Sequence, residues 1–143
     1  WFYWPGTTEK TTFGFTMKYN KKAKNVQGNL LIIRHHADGT ISRLKSNALD
    51  GLALKNSNGI GIASFSGKAT YMTWDPEANE GLGEYVNTGG IAFSVYAEDC
   101  NQPGIGIDRF WIRAMDKLVM ANPAPTNAVT IGGGNIVIPH TTK

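Results

Sequence analysis

A single cysteine, Cys100, is all the thiol this 143-residue chain carries. An intrachain disulfide is therefore excluded, and so is any metal cluster built on several thiolates. Its setting, Asp99-Cys100-Asn101-Gln102, is polar and predicts partial exposure, and one thiol does not report a redox compartment. No apolar run approaches the ~20 residues of a membrane helix, so no transmembrane segment is expected. Helical periodicity is missing beyond a turn or two, and no internal repeat of roughly 20–50 residues points to a solenoid or propeller. Charged residues make up only 17% of the chain, which is low for a globular protein. The opening, Trp1-Phe2-Tyr3-Trp4, has no basic stretch ahead of an apolar one and is no signal peptide. It begins as if in mid-strand, so the chain reads as a single β domain, residues 1–143, excised from a longer protein. Missing targeting information then says nothing about the parent.

What is present favours β structure. Hydrophobic residues reach 41% and there are 17 glycines, enough for a core interrupted by many turns. Phe13, Phe15, Met17 and Tyr19 alternate with Thr12, Gly14, Thr16 and Lys18, the clearest period-two pattern in the chain. Leu30 to Ile33 is a continuous apolar run and suggests a strand covered on both faces. Asp38-Gly39 is a hairpin signal, with a return strand over Ile41 to Lys45 and a separate short strand over Leu49 to Lys55. Ile60 to Trp74 is long, and Gly67 within it marks a bulge or bend. Asp75 to Gly90 reads as a long acidic loop. Phe93–Arg113 reads as strand, loop, strand, with Phe93, Val95, Ala97, Phe110 and Ile112 on one face. A turn at Asp116-Lys117 and a short strand should follow. Asn122-Pro123-Ala124-Pro125-Thr126 is expected to be irregular, and Val129 to Ile131 and Asn135 to Ile138 close the chain around Gly132-Gly133-Gly134. The fold class is all-β: an antiparallel sandwich or partly closed barrel of about nine to eleven short strands. The first and last strands are placed to cover each other's edges.

In order along the chain come an aromatic opening, Thr12-Phe13-Gly14-Phe15, Gly28-Asn29-Leu30, and Ala63-Ser64-Phe65-Ser66-Gly67-Lys68-Ala69. Phe93-x-Val95-x-Ala97-Glu98-Asp99, Pro103-Gly104-x-Gly106-x-Asp108-x-Phe110 and Gly132-Gly133-Gly134-Asn135-Ile136 follow. From about residue 11 to 140 this resembles the β-rich module near the C-termini of large secreted bacterial proteins, where it follows immunoglobulin-like, PKD or HYR repeats or choice-of-anchor domains. The resemblance implies an extracellular, non-enzymatic, modular role and no substrate. The chain departs from the pattern at Trp74 to Tyr85, which is longer than the short turn expected there.

Formal net charge is +3, with ten Lys/Arg against three Asp/Glu in residues 1–74 and four against eight in residues 75–143. Such asymmetry can orient a domain or drive self-association unless folding interleaves the halves. Lys18, Lys21, Lys22 and Lys24 form a basic hairpin tip without interleaved aromatics; an edge guard explains it better than a nucleic-acid site. Asp99 and Asp108 flank the ribbon loop. Carboxylates with loop carbonyls are what Ca²⁺ takes, although turn-fixing hydrogen bonds are the plainer reading and no cofactor is otherwise implied. Asp75, Glu77, Glu80 and Glu84 make a second acidic group, better read as a solvated loop. His35 and His36 are adjacent and on a strand point to opposite faces, so they cannot chelate together; His140 is far off. There is no Gly-x-Ser-x-Gly, no phosphate loop and no distinctive carboxylate pair.

The aromatic residues carry the stronger hint. Tyr96 and Trp111 are expected on an outer face and, with Trp74 and Tyr85, make the candidate surface, since rows of exposed aromatics bind sugars or a partner unless a neighbouring layer covers them. The leading expectation is a non-enzymatic structural, adhesion or assembly module on the bacterial cell surface. Its partners would be adjacent β modules of the parent protein, copies of itself, or a glycan. A carbohydrate-binding module using the four aromatics is the alternative, and a barrel enzyme with an internal pocket a weaker one.

Overall fold

A computed structural model describes residues 1–19, 26–57, 60–99 and 108–133. The chain is all-β, with one antiparallel sheet nearly closed into a barrel. The strands are β1 (Phe2–Tyr3), β2 (Lys10–Tyr19), β3 (Val26–His35), β4 (Ile41–Ser57), β5 (Ile60–Asp75), β6 (Glu84–Asp99), β7 (Arg109–Ala114), β8 (Leu118–Val119) and β9 (Val129–Thr130). β1 through β8 neighbour one another in chain order, and β9 pairs with β7. Closure comes from main-chain contacts at the termini of the described chain. The Gly132 N–H donates to the Trp1 carbonyl at 2.7 Å and the Trp1 nitrogen to the Gly133 carbonyl at 2.9 Å. A Cβ on Gly132 or Gly133 would lie 2.8 or 2.3 Å from the Trp1 ring, so the glycines are what let these backbones meet.

Register stacks the inward residues in layers. Phe2, Thr11, Arg34, Ser42, Thr73 and Val86 lie opposite one another in turn across β1 to β6. The next layer is Phe13, Ile32, Leu44 and Tyr71, and the exposed Thr88 continues the row on β6. Along β5, β6 and β7, Phe65, Val95 and Ile112 form one row and Ala63, Ala97 and Phe110 another. Rings fill the middle. Phe13 stacks on Phe110 with centroids 4.5 Å apart, Phe2 reaches Phe110 at 5.7 Å, and Phe15 meets Phe65 at 5.5 Å. Each such ring contributes roughly 1.5–3 kcal/mol by leaving water, and the offset pairs add about 0.5–1.5 kcal/mol more.

Four expectations are corrected. Ile41 to Lys45 and Leu49 to Lys55 are not two strands but one, β4, bent by register shifts at Ser46/Ala48 and Leu49/Gly51. Gly67 lies opposite Leu49, and a Cβ there would meet the Ala48 carbonyl oxygen at 2.1 Å; the glycine accepts the bulge. The acidic loop shrinks to residues 76–83, because Glu84 already pairs with Asp75 and Tyr85 with Trp74. β3 is covered on one face only, since Leu30 and Ile32 are buried while Leu31 is 40% exposed. Asn122 to Thr126 is not wholly irregular: after Pro123, Ala124–Asn127 form one helical turn, α1. Asn135 to Ile138 lies outside the described residues.

Candidate functional site

With the inner face given to core, the concave surfaces described here lie outside the barrel. On β4 to β7 the outward residues fall into cross-strand rows. One row is Ala53, Ser64, Tyr96 and Trp111; the next is Gly51, Ser66, Ser94 and Arg113; a third is Ala48, Lys68 and Ala92. Small side chains in the middle of these rows leave an open trough of about 590 Å³, floored by Ala53, Ser64, Ser66 and Ser94 and walled by Tyr96, Ala124 and Pro125. Through Ser94 and Trp111 it adjoins a second hollow of about 420 Å³ that reaches Ala92, Arg113, Met115 and Asn122. Ser66 donates to Asp50 at 2.8 Å. Among the described residues, the Ser64 and Ser94 hydroxyls have no hydrogen-bond partner, and Lys68 and Arg113 form no ion pair.

The four aromatic residues singled out by sequence do not form one row. Tyr96 and Trp111 are cross-strand neighbours at the trough. Trp74 and Tyr85 are a separate pair, edge to face at 5.0 Å, beside the acidic turn. Tyr85 and Tyr96 are eleven positions apart on β6, on the order of 35 Å of strand. Trp111 does point away from Phe110 and Ile112, yet it is only 5% exposed. The segment after β8 covers it, and its indole N–H donates to the Ala121 carbonyl at 2.8 Å. It is a wall of the trough rather than an open platform. Tyr96 is half-buried, its hydroxyl donating to Glu98, which in turn accepts from Arg109 at 3.2 Å. Trp74 is packed on the turn: a Cβ on Gly83 would be 2.2 Å from its ring.

At the other end of the sheet lies a polar chain that sequence reasoning missed. Glu9 Oε1 accepts from Arg34 Nε at 2.6 Å and lies 3.3 Å from His36 Nδ1. His36 Nε2 is 2.7 Å from Ser42 Oγ, which is 3.2 Å from Thr73 Oγ1. The Arg34 guanidinium also sits over the Trp4 ring, 4.8 Å from its centroid. The hydrogen bond from Arg34 holds the Glu9 carboxyl below the usual carboxylate range. Serine, histidine and carboxylate thus occur in the order of a hydrolytic triad. Their access is reversed, however. Glu9 lines a surface cleft with Gly6, Thr7, Thr8 and Ala37, whereas Ser42 is 2% exposed in an interior layer. His36 has turned inward to this chain and His35 outward, as their adjacency requires.

The remaining candidates are quickly placed. Asp99 and Asp108 are buried at the foot of the ribbon, and the intervening 100–107, with Cys100, lies outside the described residues. Among the described residues no three of His, Cys, Asp and Glu converge as metal ligands. Asp75 instead accepts from the Glu77 N–H at 3.0 Å, fixing its turn. Lys18 is on β2, while Lys21, Lys22, Lys24 and His140 fall outside the described residues. The trough did leave a signal in sequence. The outward positions Ser64, Ser66, Ala92 and Ser94 are small against apolar inward neighbours, and no exposed large side chain fills the space above them. No family model, curated protein or solved structure matches this chain.

Proposed function

We propose that the chain is a non-catalytic attachment module of a secreted bacterial surface protein, and that it works through the outer trough on β4 to β7. The trough itself carries this reading. It is concave, the Ser64 and Ser94 hydroxyls that line it have no partner among the described residues, and its central strands, β5 and β6, are paired on both sides, so its floor is a rigid surface. The aromatic filling of the interior supports the same view, because a barrel enzyme needs room where Phe2, Phe13 and Phe110 stand. Burial of Ser42 argues likewise against reading the Glu9–His36–Ser42 chain as catalytic.

A carbohydrate is the ligand reading that the trough favours over the packing of a neighbouring module. Exposed Ser64 and Ser94 hydroxyls in the rows beside Tyr96 suit a polar ring with one apolar side. The test is binding to a broad panel of immobilised glycans, comparing the native chain with Ser94→Trp, which fills the trough from an exposed position. Binding by the native chain, lost in the variant at unchanged Tm, is expected. Failure across the panel would remove the carbohydrate reading and leave a face for packing against an adjacent β module.

A further inference from the structure

Lys68 and Arg113 lie just beyond one end of the trough, on either side of β6, with Arg113 lining the adjoining hollow. Lys68 is directly opposite Ala92, and Arg113 is directly opposite Ser94. Both are exposed, and neither has an acidic partner among the described residues. Strand spacing and a two-residue offset put their Cα atoms about 12 Å apart. Only Ala92, Ser94 and Ser66 separate them, so nothing bulky fills the space between the two charges. Glu98 is held by Arg109 and Tyr96, while the Asp50 carboxylate reaches the floor at Ser66, from which it accepts at 2.8 Å, and leaves the two cations without a salt bridge. At the opposite end the trough is walled by Tyr96, Ala124 and Pro125, which offer no free cation.

From this arrangement we infer that the trough selects an acidic oligosaccharide, with carboxylate or sulfate groups at the Lys68–Arg113 end and a sugar ring against Tyr96. The inference rests on the carbohydrate reading above and adds its charge class. Two cations with the Ser94 hydroxyl between them match an anionic ligand carrying its own hydroxyls; charge-assisted hydrogen bonds are the stronger kind. An acidic peptide suits the site less well. The inner strands of this face have no main-chain groups left for strand addition, and the floor has no deep apolar pocket for side-chain anchors.

The test is calorimetric titration of the full chain with a hexamer of galacturonic acid and with the same hexamer after carboxyl reduction. Tighter binding of the acidic hexamer is expected, weakening as salt rises from roughly 0.05 to 0.5 M. Lys68→Ala and Arg113→Ala should each weaken it ~3- to 10-fold. Lys10→Ala, whose ammonium lies over the Trp1 ring instead, should leave it unchanged. Gln replacements, which keep more of the stem, serve if either Ala variant lowers Tm. Equal affinity for the reduced hexamer would overturn the charge inference and keep the carbohydrate reading. Acidic binding unaffected at Lys68 and Arg113 would overturn the site. Binding to no glycan at all would overturn both.

Discussion

Truncating Phe110 to alanine is the sharpest test of a barrel filled from within. Phe110 is fully buried and packs against Phe2, Phe13 and Phe15, closest to Phe13 at 4.5 Å. Removing a buried Phe costs about 3–5 kcal/mol, part lost transfer energy and part cavity. A chain of 143 residues has roughly 7–21 kcal/mol to lose at about 0.05–0.15 kcal/mol per residue, so the variant should still fold. At this size each kcal/mol moves Tm by ~2–4 °C, giving a fall of about 6–20 °C. Calorimetry and urea titration would measure it, with the slope of the urea transition unchanged. A cycle with Phe13→Ala isolates the stacked pair: the double variant should lose about 0.5–1.5 kcal/mol less than the sum of the single losses. Tyr3→Ala is the control, since Tyr3 is 54% exposed. A Phe110→Ala effect no larger than that of Tyr3→Ala would refute the filled interior.

Gly67→Ala should destabilise by ~2–4 kcal/mol in denaturant titration, because its Cβ would stand 2.1 Å from the Ala48 carbonyl and backbone must move; an unchanged midpoint would remove the bulge from the account. Trp111→Phe should cost about 1–2 kcal/mol through the lost bond to the Ala121 carbonyl, read in the same titration, and a neutral result would mean that the covering segment is not held there. Glu9 provides a pH signature. Its carboxyl is held below the unfolded value, about 4.3, so its contribution is full above that pH and fades as pH falls through the lower folded value. Melting curves between roughly pH 5 and pH 2 should therefore fall more steeply for the native chain than for Glu9→Gln; parallel curves would contradict the Glu9–Arg34 bond.

How much of this was legible depended on whether one face of a strand is apolar. β2, β5 and the Phe93–Arg113 ribbon alternate strictly and were readable, as was the Asp38-Gly39 turn, while the last strand expected to cover the edge of the first lies outside the described residues. Glu84 to Gly90 has almost no apolar residue, so nothing in sequence marks it as the exposed extension of β6; pairing with β5 makes it a strand. β4 looked like two strands because its bulges break the period. The polar layer was hidden for another reason. Glu9, Arg34, His36, Ser42 and Thr73 come from separate strands, and only the register brings them together. For the aromatics, periodicity gave the face of Trp111 correctly but could not show that the segment carrying Ala121 folds back over it. The trough, finally, is a property of missing bulk: the small outward residues stand in the sequence, but only the register sets Ser64, Ser66, Ala92 and Ser94 side by side.

The most direct test of attachment through the outer trough is an amide chemical-shift map of the isotopically labelled chain, titrated with the tightest glycan from the panel. Shifts should cluster on Ser64, Ser94, Tyr96 and Arg113. Shifts centred instead on the Glu9 cleft or on the Trp74–Tyr85 pair would contradict the account.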